Sequence, residues 1–436
     1  RAPHSCRPIP RMPPVAASSE ISSAAVKPPD DRRGLVLVAA FLGWMFDGLE
    51  MGIFPLVARP ALLEMQAATH AVNDAFIGHW MGIITALFLL GAALGGLVFG
   101  WLGDRIGRVR AMSLAILCYS VFTGLGYFAQ TPAQLGALRF VAALGMGGEW
   151  SLGVALVMEV WPEKHRPILA GVIGAAANVG FALIGLLGIF FSVTQDSWRW
   201  VMLVGAVPAL LTFFIRLFVP ESKRWIAASR TPAQPLREIF SPPLLKSTLL
   251  ATVFASIALI GSWGSVQWLP LWADQMAGPG LPQAKAYAQT LTAVGSIVGC
   301  MLGAWIGGKL GRRPAYFILC AFSLLSCAGI FRVFDAYGTG FLIMTFLVGA
   351  TTAAFYGWLP LYLPELFPTR VRATAQGVAF NTGRIFAAMA ALQMGALMKL
   401  FDASYARAGA IITLIYVLGL FVIWLAPETK GRALPD

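Results

Sequence analysis

The chain has 436 residues, of which 58% are hydrophobic and only 12% charged, with a mean hydropathy of +0.73. This excludes an ordinary soluble protein, where about a quarter of the residues carry charge. The net charge of +12 does not indicate nucleic acid, because most Lys and Arg sit in alternate loops between apolar runs, the positive-inside pattern of a polytopic membrane protein.

The opening 33 residues are rich in Pro, Ser and Ala, lack the apolar region of a signal peptide, and read as a disordered cytoplasmic tail, 1–33. Met12 is a candidate start. Apolar runs long enough to cross a core of roughly 30 Å then predict spans near 35–56, 79–100, 111–129, 133–157, 168–191 and 198–219, an N-terminal six-helix bundle over 34–219. The polar interval 220–246 reads as a cytoplasmic linker. Further spans near 247–270, 287–307, 315–334, 340–362, 373–398 and 407–426 give a C-terminal bundle over 247–426, with a cytoplasmic tail at 427–436. The predicted fold class is all-α and polytopic, with twelve transmembrane helices in two pseudo-symmetric six-helix bundles.

Charges inside spans need reasons. Asp47 and Glu50 lie in "GWMFDGLEMGIFPL" within the first span. A carboxylate at the centre of a membrane helix costs about 2.5–3.5 kcal/mol and usually faces a cavity or partner. The spacing of three puts both on one face, where two close carboxyls would titrate as a pair, as proton-coupled transport requires. The seventh span has no acid until Asp274 at its outer end, so coupling is expected in the first half.

Arg139 enters the fourth span, and Glu149 follows ten residues on. That is about 15 Å along a helix, too far for the two to pair. Each needs a partner on another helix, and Asp47 and Glu50 are the available acids, either in a structural ion pair or in proton and substrate binding. The cysteines show no metal-type spacing, and among four histidines only His79, at a span entrance, is placed to titrate with function. No nucleophile–base pair, metal cluster or phosphate-cradling glycine loop is visible. Neither an enzyme, a metal nor a cofactor is expected.

The halves repeat. "GWLGDRIGRVR" (100–110) aligns with "AWIGGKLGRRP" (304–314), "EVWPEKHRPILAG" (159–171) with "ELFPTRVRATAQG" (365–377), and "PESKR" (220) with "PETKG" (427), at offsets of 204 to 207 residues. In the first motif Gly103 and Gly107 allow the chain to turn, and Asp104 suits a helix N-terminus. Arg105 and Arg108 can pair with acids at neighbouring helix ends, such as Glu159 or Glu365. Together with Arg166 and its mate Arg372, these residues form a candidate latch that closes and parts as the halves rock. Gly308 replaces the Asp in the second copy, so the two latches are not equivalent.

Arg384 falls twelve residues past Arg372, roughly 18 Å deep by helical rise. Its repeat mate is Asn178. Parallel six-helix repeats place a substrate site between the halves near the midplane, and a guanidinium there offers a fork of donors for a carboxylate. A structural pair with an acid is the alternative. In "GSWGSVQWLPLW" and "FYGWLP", Gln267 and Tyr356 are candidate polar contacts, although Trp and Tyr also populate membrane interfaces.

Over residues 34–432 these motifs resemble the major facilitator superfamily. "GWLGDRIGRVR" resembles its signature loop and "RFVAALGMGGEW" its fourth-helix arginine motif. "PESKRW" and "PETKG" are like the helix-end motifs of sugar porters. "DGLE" is similar to the DGxD element of aromatic-acid:proton symporters, with Glu50 in place of the second Asp. "GMGGEW…EVWPEKHR" and "LPELFPTRVRATAQG" resemble metabolite:proton symporters, including sialate and lactate carriers. The resemblance implies proton-coupled import, by alternating access, of a small organic anion such as an aromatic acid, monocarboxylate or sialate. Asp47 and Glu50 would carry the proton, Arg139 and Glu149 would tune it, and Arg384, Asn178, Gln267 and Tyr356 would bind substrate. It also implies a monomer in the plasma or inner membrane whose partners are protons, a small molecule and lipid. Alternatives are a sugar facilitator or sugar:proton symporter. A drug:proton antiporter is disfavoured because "AGVIGAAANVGFALIGLLG" lacks the Pro of those carriers' fifth helix.

Overall fold

A computed structural model describes residues 30–67, 74–106, 108–150, 153–154, 157, 161, 165–208, 210, 235–368, 371–402, 404–432 and 435. Residues 30–33 of the expected tail at 1–33 belong to the first helix, and the rest of that tail and most of the 220–246 linker lie outside the described residues. Among the described residues all regular structure is helical. The first half comprises α1 (Asp30–Ala67), α2 (Asp74–Ile106), α3 (Arg108–Leu125), α4 (Pro132–Met146), α5 (Arg166–Phe190) and α6 (Trp198–Val204). The second comprises α7 (Pro242–Gly264, resuming as Leu269–Ala277), α8 (Ala284–Leu310), α9 (Arg312–Val333), α10 (Thr339–Tyr362), α11 (Arg372–Leu400) and α12 (Tyr405–Ile412, resuming as Ile415–Val422). Nine stretches among the described residues are long and apolar enough to cross a membrane. Outward-facing Leu97, Leu186, Phe322, Leu325 and Phe421 are exposed, as lipid contact requires.

Local chemistry sets several boundaries. Thr131 and Gln134 form a reciprocal capping box at the start of α4, with Pro132 in the first turn where no N–H is needed. Gly311 separates α8 from α9 at φ 104°, a conformation that only glycine adopts freely. Helix α1 outruns its predicted end at residue 56 despite Pro55 and Pro60. Leu56, Val57, Ala58, Ala61 and Leu62 are completely buried there, so packing outweighs the lost hydrogen bonds.

The repeat is visible in the packing. Gly91 and Gly95 of α2 lie on the backbone carbonyls of Phe140 and Leu144 in α4. Gly295 and Gly299 of α8 lie likewise on those of Phe346 and Ala350 in α10. Any side chain would strike backbone oxygen, so these stripes permit the close helix approach typical of membrane interiors. The halves meet where α5 packs on α8 and α2 on α11.

At the end of the bundle bearing the α8–α9 turn, three sequence motifs converge. Glu365 accepts from Arg312 at 2.6 and 2.9 Å and from the Thr429 hydroxyl at 2.6 Å. Glu428 accepts from the backbone N–H groups of Arg312 (2.9 Å), Arg313 (3.0 Å), Thr429 and Lys430 (3.0 Å each). The "PETKG" segment therefore caps the free N–H groups at the start of α9. Burial opposes the charge of Glu428, but these four donors hold its carboxyl below the usual glutamate range. A depressed folded-state value means that its stabilising contribution is present at neutral pH and is lost as pH falls through that range. Glu428→Ala should lower thermal stability by roughly 1 kcal/mol at pH 7, with the difference from wild type shrinking in acid; an equal deficit at both pH values would contradict the capping role.

At the opposite end Arg59 of α1 pairs with Asp274 (3.2 Å), which also lies 3.6 Å from Lys285 of α8. Lys285 donates to the Val193 carbonyl at 2.9 Å, and Gln283 to the Ser192 hydroxyl at 3.0 Å. These contacts tie the two halves together at that end.

Candidate functional site

A cavity lies between the halves, with about 1040 Å³ of empty space including its mouth. Its lining includes Asp47 of α1, Asn178 of α5, Gln267, Tyr356 of α10 and Arg384 of α11. Gln267 gets there because helix seven breaks. Pro270 has no N–H to continue the ladder, and a tight turn at Val266–Trp268 intervenes. Aromatic pairs bridge the halves on either side: Phe88 with Trp263 (5.6 Å) and Trp150 stacked on Phe380 (4.3 Å).

Arg384 is buried, with its guanidinium 5.0 Å from the Phe380 ring. Nη1 donates to Asn381 Oδ1 (3.0 Å) and to the Gly147 carbonyl of the other half (3.3 Å). Nε and Nη2 have no hydrogen-bond acceptor among the described residues, which leaves donor capacity for an anion. Asn178 is partly engaged by the Gly174 carbonyl (3.4 Å) and Cys300 Sγ (3.6 Å).

The spacing of Asp47 and Glu50 predicts contact between their carboxyls, but the structure gives them different partners. Three residues leave side chains about 60° apart around a helix. Glu50 turns away from the cavity to accept from Arg139 Nη1 (2.9 Å) and the Thr123 hydroxyl (2.8 Å). Arg139 is held between the Phe54 and Phe88 rings, 4.8 Å from each. The Glu149 carboxyl instead lies against Gly43, one helical turn from Asp47, and acts on Asp47 together with the charge of Arg384. No donor reaches either carboxyl among the described residues. Gly43 makes room for the arrangement, since a Cβ there would strike Glu149 Oε1.

A buried ion pair that loses one member leaves an uncompensated charge, at a cost of about 3–5 kcal/mol. Arg139→Met should therefore destabilise strongly in a thermal melt, and Glu50→Gln with Arg139→Met should recover much of the loss. If the double variant is no more stable than Arg139→Met, the pair is not what Arg139 contributes.

Other candidates fall elsewhere. His79 is exposed and does not line the cavity. Cys118, Cys300, Cys320 and Cys327 are unpaired, and no metal cluster exists among the described residues. Of the latch candidates, Glu365 is bound by Arg312, the repeat mate of Arg108. The side chains of Asp104, Arg105, Arg108, Glu159, Arg166 and Arg372 lie outside the described residues, as do Gly107 and the surroundings of Gly103. Gln289, Ser296, Thr352 and Phe88, which sequence reasoning missed, also line the cavity, as does Trp263 of the aromatic stretch "GSWGSVQWLPLW". Gln289, Thr292 and Ser296 recur at helical spacing in an otherwise apolar span, a polar stripe that would have flagged the first two.

The family model of the Major Facilitator Superfamily matches residues 35–391. The chain belongs to that superfamily. It is 31% identical over 411 residues to a probable 4-methylmuconolactone transporter of Cupriavidus pinatubonensis, covering 91% of each chain. It is 30% identical over 376 residues to a cis,cis-muconate transport protein of Acinetobacter baylyi, covering 83% of this chain and 87% of the other. The xylose transporter XylE of E. coli, in a partially occluded inward open conformation, superposes with a TM-score of 0.73 at 18% identity, covering 93% of this chain and all of that one. As a superfamily member the protein is a multi-pass membrane transporter of two six-helix bundles, not an enzyme.

Proposed function

We propose that the protein imports a small organic monoanion together with protons by alternating access. The observation that carries this reading is that one cavity holds a guanidinium with unused donors, Arg384, and Asp47, one member of a carboxyl pair that no donor reaches among the described residues. Among the described residues Arg384 is the one cation lining the cavity, because Arg139 is committed to Glu50. One fixed positive charge suits one carboxylate. The aromatic walls suit a flat, unsaturated body, in keeping with a relative named for 4-methylmuconolactone; cis,cis-muconate, for which another is named, shares the flat body but carries a second carboxylate that this single cation would not pair.

In this reading Asp47 and Glu149 share one proton, which supplies the missing donor. Asn178, Gln267 and Tyr356 orient the substrate, while Glu50 and Arg139 fix α1 against α4. The motif-bearing end is cytoplasmic by the positive-inside pattern, with both termini there, and the protein works as a monomer in the inner membrane. The Arg59–Asp274–Lys285 contacts close the outer end, and the cluster around Arg312 and Glu365 steadies the inner one as the halves rock.

Uptake into proteoliposomes tests this across monocarboxylates, aromatic acids, sialate and hexoses, with and without an imposed pH gradient. Gradient-driven accumulation of a monocarboxylate is expected. Hexose uptake indifferent to the gradient would instead establish a sugar facilitator.

A further inference from the structure

Gln289 of α8 is 4% exposed and borders the cavity. Its Nε2 donates to two carbonyls, Gly52 of α1 at 3.0 Å and Phe181 of α5 at 3.4 Å. Two acceptors on that side fix which way round the amide sits, since its oxygen cannot donate to them. Oε1 therefore lies on the other side of the amide group, and no donor reaches it among the described residues. A buried acceptor without a donor is rare and calls for an explanation. Thr290 Oγ1 is similarly unpartnered, but it packs against Gly185 and does not line the cavity.

The position of Gln289 supplies the explanation. Its contact, Gly52, is five residues beyond Asp47 on α1, about 7.5 Å along the helix. Asp47 is near enough to Arg384 to feel its charge. Gln289 and Arg384 therefore line one cavity from different positions, and Phe88, Phe181 and Trp263 wall it. We propose that Gln289 is a specificity-determining residue: its Oε1 accepts from a hydroxyl or amine that the substrate carries at the end opposite its carboxylate. This rests on the anion reading above and narrows it to donor-bearing ring or conjugated acids.

Binding of benzoate, 4-hydroxybenzoate and 4-methoxybenzoate to the purified protein, followed by calorimetry, tests the proposal. The methoxy compound keeps the ring and the oxygen but cannot donate. The hydroxy acid should bind about 10- to 100-fold more tightly than the other two, the effect of satisfying a buried polar group. In Gln289→Leu that preference should fall to within about twofold while benzoate affinity is kept. Because Gln289 also ties α1 to α5, Gln289→Asn provides a milder variant in which the preference should shrink but persist. If the wild-type protein binds all three acids alike, the role of Gln289 is refuted and the anion site stands. If it binds none of them and no other carboxylate, the anion reading fails and this inference goes with it.

Discussion

Replacing Arg384 with alanine should weaken carboxylate binding at least about 100-fold, the consequence of removing one partner of a desolvated, hydrogen-bonded charge pair. The guanidinium is buried beneath Phe380 and fixed by Asn381 Oδ1 and the Gly147 carbonyl, so its remaining donors are already oriented before an anion arrives. Arg384→Lys keeps the charge but not the planar fork and should fall between wild type and Arg384→Ala. A lysine also cannot satisfy Asn381 and Gly147 while leaving two parallel donors for a ligand. The matching control lies in the ligand: the primary amide of a bound acid should not compete with it. Equilibrium binding with a parallel thermal melt separates recognition from folding. A dissociation constant within threefold of wild type in a folded Arg384→Ala protein would exclude Arg384 as the anion site.

Much of this arrangement is legible in the sequence. The repeated motifs announce two six-helix units, and counting residues from Arg372 and from the repeat places Arg384 and Asn178 mid-span, where the cavity lies. Apolar run length finds helices because a bilayer demands internally satisfied backbone over a fixed distance. The pairing of the buried acids was not legible. Spacing along one helix says that Asp47 and Glu50 share a face, yet a 60° offset suffices to send one to α4 and the other to the cavity. Which acid meets which base depends on how α1 and α4 pack, and no periodicity reveals that Gly43 leaves room for the Glu149 carboxyl. Gln289 escaped for a related reason. Its helical spacing with Thr292 and Ser296 marks a polar stripe, but the orientation of its amide is fixed only by the carbonyls of Gly52 and Phe181 on two other helices.

The second large effect is expected at the carboxyl pair. Asp47→Asn removes the site where a proton binds and leaves while retaining shape and hydrogen-bonding capacity. The variant should exchange labelled for unlabelled substrate across the membrane, because binding and rocking need no change in protonation. It should not accumulate substrate. Symport of one monoanion with one proton moves no net charge, so accumulation follows the pH gradient, about tenfold per pH unit or about 1.4 kcal/mol, and that factor should drop to about one. Glu149→Gln should behave alike for a different reason: its amide N–H permanently supplies the donor that the shared proton supplies in the wild type, so Asp47 is satisfied without titrating. Glu50→Gln should differ from both, losing stability through the orphaned Arg139 rather than uncoupling. Counterflow and gradient-driven uptake, measured on the same proteoliposomes, separate these outcomes. Wild-type accumulation by Asp47→Asn would remove Asp47 from the coupling site. Wild-type accumulation by Glu149→Gln alone would leave Asp47 as the proton carrier without its partner.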